Sequence, residues 1–378
     1  MSFCFILKSI LFLGYFAVVY YIVNLVIKNQ ERYYAQKYCE KDGKKVSLHD
    51  VFDVFARRDK PAIFWKLYLK MLFIGFPKFI VGMTFAVILA FTLKIKTKGK
   101  DKFTKEEIQE IKKITSFWMS LVIRLGGIAI KKKRLPDEIV LPVFQKYFGS
   151  EYKIDYYGKF SCYISNHTSF LDILIGMALY GAGFVGKKSV KNVPIFGDIG
   201  IGIGSIFVDR EQGDSRKNAL EMITERQKQF YEGENVMPIV IFPEGTTSSG
   251  RHLLPFKKGA FYSLLPIKAS ICHPNIDEFL HAGCGASEVA FNFFRNISEL
   301  YNPIEYIELP ILAPNDYLFE NFSKFGKEKW EIYAEATREI MCQLGDFEKS
   351  DMGLRDSFRY EKCLEEEKFI EKEKFKRD

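Results

Sequence analysis

The sequence predicts an α/β domain that follows a membrane-embedded N-terminal region. Apolar, β-prone runs alternate with helical segments between residues 159 and 345, a pattern typical of α/β layer folds. Long apolar segments precede this alternation. We therefore divide the 378 residues into a membrane-anchoring region at 1–130, a globular domain at 131–345 and a charged tail at 346–378.

The first apolar segment runs from Phe5 to Ile27 and is interrupted only by Lys8 and Asn24. About 20 largely apolar residues suffice to cross a bilayer, so this segment is long enough. It is too long for a signal peptide, and no small-x-small cleavage site follows it. The segment is predicted to be an anchor.

Two further apolar segments each allow more than one placement relative to the bilayer. Met71 to Leu93 carries Pro77 and Lys78 near its start, so it either spans the bilayer or enters it as a kinked, half-buried element. Ile114 to Ile130 is shorter, and Arg124 in its middle would be costly at the bilayer centre. This third segment is predicted to be an interfacial helix, with a buried core helix as the alternative.

The net charge of +8 and the pI near 8.9 suggest an anionic partner: membrane lipid, an acidic substrate or nucleic acid. Nucleic-acid binding has only the charge in its favour, because the lysines cluster beside apolar segments. The basic run Lys131 to Arg134 is interpreted as facing lipid headgroups. Basic stretches flank Met71 to Leu93 on both sides, and the positive-inside rule places both on the cytoplasmic face. This requires either that Met71 to Leu93 does not cross the bilayer or that a second crossing follows it.

The seven cysteines are odd in number and form no C-x-x-C pair. Their spacing indicates neither a disulfide framework nor a zinc site, and we expect free thiols.

Within the globular domain, strands and helices are predicted in alternation. The predicted strands are Lys159–Asn166, Gly204–Arg210, Val236–Gly245 and Tyr306–Asn315. The predicted helices are 168–181, 215–233 and 327–345. Ser165 or Asn166 is expected to cap the first of these helices.

Two glycine-rich stretches partly match the sequence patterns of phosphate-binding loops. Gly181 to Ser189 has Lys188 where the magnesium-binding hydroxyl is needed, and it follows a helix instead of a strand. Gly200 to Ser205 precedes a strand instead of a helix N-terminus. Both are interpreted as flexible, close-packed glycine turns.

His167 and Asp172 are the first candidates for catalysis. Five residues along a helix turn a side chain by about 500°, so the two side chains meet only if the chain bends at His167. The predicted strand-to-helix junction supplies this bend. Asp172 could then fix the imidazole tautomer and leave the other nitrogen as a base, while the helix N-terminus favours the neutral ring. A capping or packed histidine is the alternative.

Other uses of a His–Asp pair find no support in the sequence. There is no G-x-S-x-G elbow for a serine hydrolase and no H-E-x-x-H zinc helix. The histidine would therefore activate a hydroxyl that arrives with a substrate, and no metal is expected.

Two further segments add polar groups. Glu244 lies on a glycine turn rich in hydroxyls, with Arg251 nearby. Arg210 ends its predicted strand, and Lys257 with Lys258 follows the glutamate turn. Such cations are natural partners for a phosphate, although a strand-end arginine can face solvent and Pro-Glu-Gly can be only a turn.

In chain order, "NHTSFLD", "GSIFVDR" and "FPEGTTSSG", followed by "PFKKGAF", resemble the glycerolipid acyltransferase family with its H-x4-D signature. The likeness is greatest to the lysophosphatidylcholine and lysophosphatidylethanolamine acyltransferases, and it covers roughly Lys131 to Gly345. It implies a mixed β-sheet flanked by helices. The fourth family motif departs from the pattern: Pro266 is kept, but Ala269 stands where a second proline is usual. No calcium-binding loop of the kind some members carry is present.

The resemblance implies acyl transfer from acyl-CoA to the free hydroxyl of a lysophospholipid, in phospholipid synthesis or remodelling. His167 would be the base and Asp172 its orienting partner, with acyl-CoA as co-substrate and no cofactor. Gly204 and Arg210 would hold the acceptor phosphate, Glu244 and its neighbours would shape the same pocket, and two lysines would bind phosphate or CoA. The implied substrate-binding residues are Gly204, Arg210, Glu244, Gly245, Thr246, Lys257 and Lys258.

Two alternatives stay open: a glycerol-3-phosphate or lysophosphatidate acyltransferase, and a catalytically silent lipid-binding membrane scaffold. A scaffold would be expected to have a broken His–Asp pair or to lack Glu244, and all three residues are present. The family and the "KFKRD" terminus suggest the endoplasmic reticulum. A glycan on the Asn166 sequon would obstruct His167, which favours a catalytic face on the cytoplasmic side.

Overall fold

A computed structural model describes residues 3–34, 38–41, 44–56, 61–100, 102–208, 213–274 and 289–365. The strands are β1 Tyr38–Lys41, β2 Lys44–Ser47, β3 Ile128–Lys133, β4 Tyr163–Ser165, β5 Gly183–Lys187, β6 Ile206–Val208, β7 Ile239–Ile241, β8 His252–Leu253, β9 Ile267–Pro274, β10 Asn302–Leu312 and β11 Glu348–Lys349. The helices are α1 Phe3–Tyr34, α2 Leu48–Val51, α3 Phe64–Lys70, α4 Phe76–Thr97, α5 Lys105–Leu125, α6 Asp137–Phe148, α7 Leu171–Tyr180, α8 Phe196–Gly202, α9 Gly213–Glu232, α10 Val289–Ile297, α11 Asp316–Asn321, α12 Lys329–Gly345 and α13 Leu354–Glu365.

Seven strands form one mixed sheet in the order β3-β10-β9-β4-β7-β5-β6. The five strands from β9 to β6 run parallel, β10 is antiparallel to β9, and β3 is parallel to β10. Helices cover both faces. The predicted α/β class, a mixed sheet flanked by helices, is confirmed.

The apolar core divides between the two faces of the sheet. On one face, Phe144 of α6 and Ile340 of α12 belong to a cluster with strand residues such as Ile164. On the other face, Leu93 of α4 packs in a cluster with Ile111 of α5, together with residues of α7 and α8. Burying both faces of parallel strands explains why their sequences are short continuous apolar runs.

The strand-to-helix junction after β4 differs from its prediction. The helix begins at Leu171, with Phe170 as N-cap residue, and neither Ser165 nor Asn166 caps it. The Asn166 side chain instead pairs with the backbone of Cys272: its amide donates to the carbonyl oxygen at 3.0 Å, and its oxygen accepts from the N–H at 2.7 Å. The asparagine thus extends the β4–β9 pairing beyond the last strand residue.

The segment 114–130 is not one helix. α5 ends at Leu125, and Gly127 adopts a φ of +83°, which favours glycine and turns the chain into β3. Met119 and Ile123 are buried against α4 and α7, whereas Phe117 is exposed, so one side of α5 packs into the core. The placement of this segment at a membrane interface stays a prediction. The predicted domain boundary at 130/131 falls within β3.

By length and composition, residues 11–30 of α1 and residues 64–97 are each able to cross a membrane. The second stretch comprises α3, a π-helical turn at Met71–Gly75, and α4. Pro77 has no backbone N–H to donate into the preceding turn, which explains the irregularity there.

The charged tail is not wholly solvated. α13 places Tyr360 and Leu364 one turn apart, and both are buried against residues 48–56. Charges on nearly every face of the segment from Arg355 predict a solvated helix or disorder, and this prediction is wrong for the part in α13. The "KFKRD" terminus, residues 374–378, fits the pattern of a dilysine-type retrieval signal and lies outside the described residues.

Candidate active site

The sheet brings two of the predicted segments to one edge. β4 and β7 are adjacent and parallel, with Ile164 paired to Ile241. The chains leaving their carboxyl ends, residues 166–172 and 242–254, therefore lie side by side. Ligand sites of open α/β sheets are commonly found at this edge.

His167 and Asp172 meet as predicted from the bend. Nδ1 of the imidazole lies 2.9 Å from Oδ2 of the carboxylate. The aspartate side chain is 3% exposed and the histidine side chain 16%, so the pair is sheltered and a small part of the histidine stays exposed. A carboxylate at Nδ1 fixes the tautomer that leaves Nε2 as proton acceptor.

Backbone and side-chain donors hold the aspartate in place. Oδ2 of Asp172 accepts from the N–H of Thr168 at 2.6 Å and of Ser169 at 2.8 Å, and the Thr168 hydroxyl donates to Oδ1 at 3.2 Å. The residue is also in the first turn of α7, where the helix dipole favours a negative charge. These contacts stabilise the charged carboxylate and restrain its rotation.

Two neighbours of the pair were missed in the sequence. The Phe242 ring stacks on the imidazole with centroids 4.3 Å apart and planes 17° from parallel, which fixes the ring orientation. Cys272 places its sulfur 3.9 Å from Oδ1 of Asp172. Burial, followed by the adjacent carboxylate, raises the pKa of this thiol well above its ordinary value, so it stays neutral. Nothing in the sequence separates these residues from ordinary core positions.

Glu244 is fully buried and has a different orientation from the one predicted. Its Oε1 accepts from the backbone N–H of His167 at 2.6 Å, and its Oε2 accepts from the N–H of Leu254 at 3.0 Å. The carboxyl group therefore joins the backbone of the histidine to the far end of the loop. It positions His167 from within the protein and does not line a substrate pocket.

Residues 157–273 match the model of the family described as Acyltransferase. These residues form an acyltransferase-family domain. The resemblance to the glycerolipid acyltransferases is confirmed, since the first curated matches are lysophospholipid acyltransferases.

Three relatives indicate the range of similar proteins. Lysophospholipid acyltransferase LPEAT1 of Arabidopsis thaliana is 32% identical over 202 residues, which are 53% of this chain and 48% of that protein. Lysophosphatidylcholine acyltransferase 1 of Homo sapiens is 28% identical over 177 residues, 46% of this chain and 32% of its own. A 1-acyl-sn-glycerol-3-phosphate acyltransferase of Neisseria meningitidis serogroup B is 35% identical over 107 residues, 28% of this chain and 40% of its own. The chain thus spans about half or less of the length of these relatives.

One solved structure has a distant likeness to the chain. It is the crystal structure of the 1-acyl-sn-glycerophosphate (LPA) acyltransferase PlsC from Thermotoga maritima, 13% identical, with a TM-score of 0.47. The match covers 72% of this chain and 95% of that one.

The glutamate turn of the acyltransferase domain carries the remaining predicted residues. Gly245 has a φ of +75°, and the Lys257 side chain passes over it, 3.6 Å from where a Cβ would stand. The Lys257 N–H donates to the Pro243 carbonyl at 2.7 Å, which fixes the lysine beside the turn. Thr246 is half-buried, whereas both lysines are exposed, and the Lys258 ammonium lies 5.0 Å from the Tyr262 ring.

Gly204 is not brought to the site. The register pairs Tyr163 and Phe184 with Val240, and Val185 with Ile206. Gly204 therefore lies about five residues below His167 along the strands, roughly 16 Å at 3.3 Å per residue.

The actual environment of Gly204 is a structural turn at the start of β6. Its φ is +66°, and Nη1 of Arg226 donates to its carbonyl oxygen at 2.9 Å. Gly204 therefore lies away from His167, at the start of β6, and its phosphate contact stays a prediction. Arg210, at the far end of the motif, lies outside the described residues.

Burial raises the pKa of Glu244 to about 8, against the opposing effects of its two backbone donors and of nearby Arg338. The folded domain therefore binds one proton more than the unfolded chain between pH 4.5, the ordinary value, and 8. Stability from this proton is fully present below pH 4.5 and is lost as the pH rises through 8.

Glu244→Gln should remove this pH dependence. As the pH rises from 5.5 to 8.5, we expect the wild-type melting temperature to fall relative to that of the variant. Over this pH range the change in relative free energy of unfolding is at most about 3.4 kcal/mol, at 1.36 kcal/mol per pKa unit. The check is thermal melting of both proteins in the same detergent at several pH values. Parallel curves would contradict the assignment.

Proposed function

We propose that this protein transfers an acyl group from acyl-CoA to the free hydroxyl of a lysophospholipid. The observation that carries the proposal is the sheltered His167–Asp172 pair at the carboxyl edge of an acyltransferase-family domain. The lysophospholipid acyltransferases among its relatives support this acceptor class.

The geometry suits direct transfer. Nε2 of His167 takes the proton of the acceptor hydroxyl while that oxygen attacks the thioester carbonyl carbon. Asp172 holds the Nδ1 proton and stabilises the imidazolium that forms. The carbon–sulfur bond then breaks, and the CoA sulfur leaves with the proton from Nε2. No acyl-enzyme forms in this scheme.

A 1-acyl-glycerol-3-phosphate acceptor is the second candidate. The bacterial acyltransferases of that name, 35% identical over the matched segment, favour it. An acceptor panel of lysophosphatidylcholine, lysophosphatidylethanolamine, lysophosphatidate and glycerol 3-phosphate separates the two. With labelled oleoyl-CoA, at least tenfold higher kcat/KM for a lysophospholipid with an alcohol headgroup supports the first candidate. Preference for lysophosphatidate or glycerol 3-phosphate overturns it, and a folded protein silent on every acceptor supports the scaffold.

We also propose that the protein works at a membrane and that residues 64–97 lie in one leaflet without crossing it. An apolar stripe runs along the exposed side of this helical stretch. Its members are Trp65, Leu69, Phe73, Ile80, Val87, Phe91 and Ile95. Spacings of four and seven residues place them on one face, which suits lipid tails.

The opposite side of the same stretch packs on the globular fold, both inside and outside the residues 157–273 that match the family model. The Lys70 ammonium pairs with Glu299 at 2.7 Å, and Lys96 pairs with Glu110 at 2.6 Å. Between them, Leu93 packs against Gly202. The 26 residue-to-residue steps from Lys70 to Lys96 measure about 39 Å along the helix, more than the roughly 30 Å of a hydrocarbon core. If this stretch crossed the bilayer perpendicular to its plane, the charged residues packed along it would lie inside the hydrocarbon core.

The residues before the helix support the same arrangement. The backbone N–H of Ser249, in the loop of residues 244–254 that follows the site, donates to the Val54 carbonyl at 2.6 Å. The segment before residues 64–97 and the domain after them therefore belong on one side. We place that side in the cytoplasm, at the endoplasmic reticulum, on the strength of the lysine-rich stretches flanking the helix.

Epitope tags test this arrangement without reference to activity. One tag is inserted between Lys41, the last residue of β1, and Lys44, the first residue of β2, and one is added after Asp378. We expect antibodies to reach both tags when only the plasma membrane is permeabilised. Tags on opposite sides would show that the helix crosses, and both tags in the lumen would refute the cytoplasmic placement alone. A luminal marker protein, stained only after full permeabilisation, is the control.

A further inference from the structure

A small apolar cluster, separate from the sheet core, joins the two ends of the chain. It brings together the segment 48–56, one residue of the catalytic loop, and α13. Its buried members are Leu48, Val51, Phe52, Val54, Phe55, Ala56, Leu254, Tyr360 and Leu364. We call residues 48–56 and α13 the terminal clamp, and residues 244–254 the catalytic loop. The clamp lies outside the matched residues 157–273.

The segment 48–56 holds the catalytic loop through polar contacts as well. The Val54 carbonyl accepts from the Ser249 N–H at 2.6 Å. Nε2 of the buried His252 lies 3.6 Å from the Asp53 carboxylate and 3.2 Å from that of Glu348. His252 thus connects residues from both ends of the chain.

The residues leading into α13 hold the same loop from the other side. β11 pairs with β8, and the Glu348 N–H donates to the Arg251 carbonyl at 3.0 Å. The buried guanidinium of Arg338 bridges the Leu253 carbonyl at 2.6 Å and the Ser350 carbonyl at 2.5 Å. The end of the loop is therefore fixed between α12 and the start of α13.

The loop in turn holds the catalytic histidine at two backbone atoms. The Ser248 N–H donates to the His167 carbonyl at 2.9 Å. Glu244 connects the His167 N–H to the Leu254 N–H, and Leu254 is the loop residue buried in the clamp cluster. A displacement of the clamp would therefore pass through Leu254 and Glu244 to the base.

We propose that the terminal clamp positions His167 through the catalytic loop, with Tyr360 as its principal positioning residue. The Tyr360 ring is buried 5.5 Å from the Phe52 ring, and its hydroxyl lies 3.3 Å from Nδ1 of His49. Tyr360 thereby ties α13 to the segment that contacts Ser249. The inference rests on the proposed acyl transfer and adds residues outside the family domain to its machinery.

The test compares Tyr360→Ala with Phe358→Ala. Phe358 is an exposed aromatic residue on the same helix and is absent from the clamp cluster. Per folded molecule, we expect Tyr360→Ala to lower kcat at least tenfold while KM for both substrates changes less than twofold. Phe358→Ala should keep the wild-type kcat. Tyr360→Phe, which keeps the ring, should recover most of the activity.

A double-mutant cycle tests the route through Glu244. If Tyr360 acts through the loop, the double variant Tyr360→Ala, Glu244→Gln should have a kcat no more than about twofold below that of the less active single variant. Multiplied losses would show independent effects and overturn the route. Should Tyr360→Ala fail to fold, Asp53→Asn removes a partner of His252 without opening the cluster, and we expect a severalfold loss of kcat with it.

The outcomes separate the two proposals. An inactive wild type refutes the proposed acyl transfer and leaves the clamp without the catalytic role assigned to it. An active wild type, with Tyr360→Ala or Asp53→Asn equal to it in kcat per folded molecule, refutes the clamp alone.

Discussion

Replacement of His167 by alanine is expected to abolish acyl transfer. The imidazole is the group placed to take the acceptor proton, and the Asp172 carboxylate has no catalytic use without it. Loss of general-base catalysis typically costs 10²–10⁴-fold, and we expect a fall in kcat of about 10³-fold or more. The check is labelled oleoyl transfer per molecule of folded protein.

The fold of the His167→Ala variant needs its own control. The backbone N–H and carbonyl of residue 167, which bond to Glu244 and Ser248, remain in the variant. The melting temperature should therefore stay close to that of the wild type. An active His167→Ala variant would contradict the assignment of the base.

Asp172→Asn is expected to have the second-largest effect. Oδ2 of Asp172 accepts from the imidazole and from the N–H groups of Thr168 and Ser169. An amide that keeps its oxygen at this position places its NH₂ against the Thr168 hydroxyl, and the opposite orientation loses all three contacts together with the fixed histidine tautomer. In either orientation the imidazolium loses its counter-charge. We expect kcat to fall by about 10²–10⁴-fold, with a smaller change in KM.

Thr168→Val is the matched control for Asp172→Asn. It removes one hydroxyl that donates to Asp172 and keeps the residue volume. A hydrogen bond to a charged group is worth about 1.5 kcal/mol at the lower end, and this bond is long at 3.2 Å, so we expect a loss of roughly tenfold. Equal effects of the two substitutions would show that the carboxylate acts through packing and not through its charge.

The sequence predicts the parts of the site that depend on local geometry. His167 and Asp172 are close in the chain, and a strand-to-helix bend is enough to join them. The alternation of strands and helices likewise predicts the layers of the fold. Each of these features is encoded within about 20 residues, where periodicity and turn residues are informative.

The parts that depend on distant contacts were not predicted. Glu244 lies in a glycine turn rich in hydroxyl groups, a sequence context that suggests a side chain facing a pocket. Its carboxyl group instead points inward to two backbone donors. Gly204 is close in sequence to the end of β6, but the sheet register places it at the opposite edge. The clamp joins residues about 300 positions apart, so neither the burial of Tyr360 nor its neighbour Phe52 follows from local patterns.

The central claim is direct acyl transfer to a lysophospholipid hydroxyl, and one measurement tests it most directly. Purified protein in lipid nanodiscs is given labelled oleoyl-CoA, first without and then with a lysophospholipid, and CoA release and the location of the label are recorded. The account predicts CoA release only after the acceptor is added, with one labelled phospholipid formed per CoA. Label bound covalently to the protein before the acceptor is added, or no transfer to any acceptor, would contradict it.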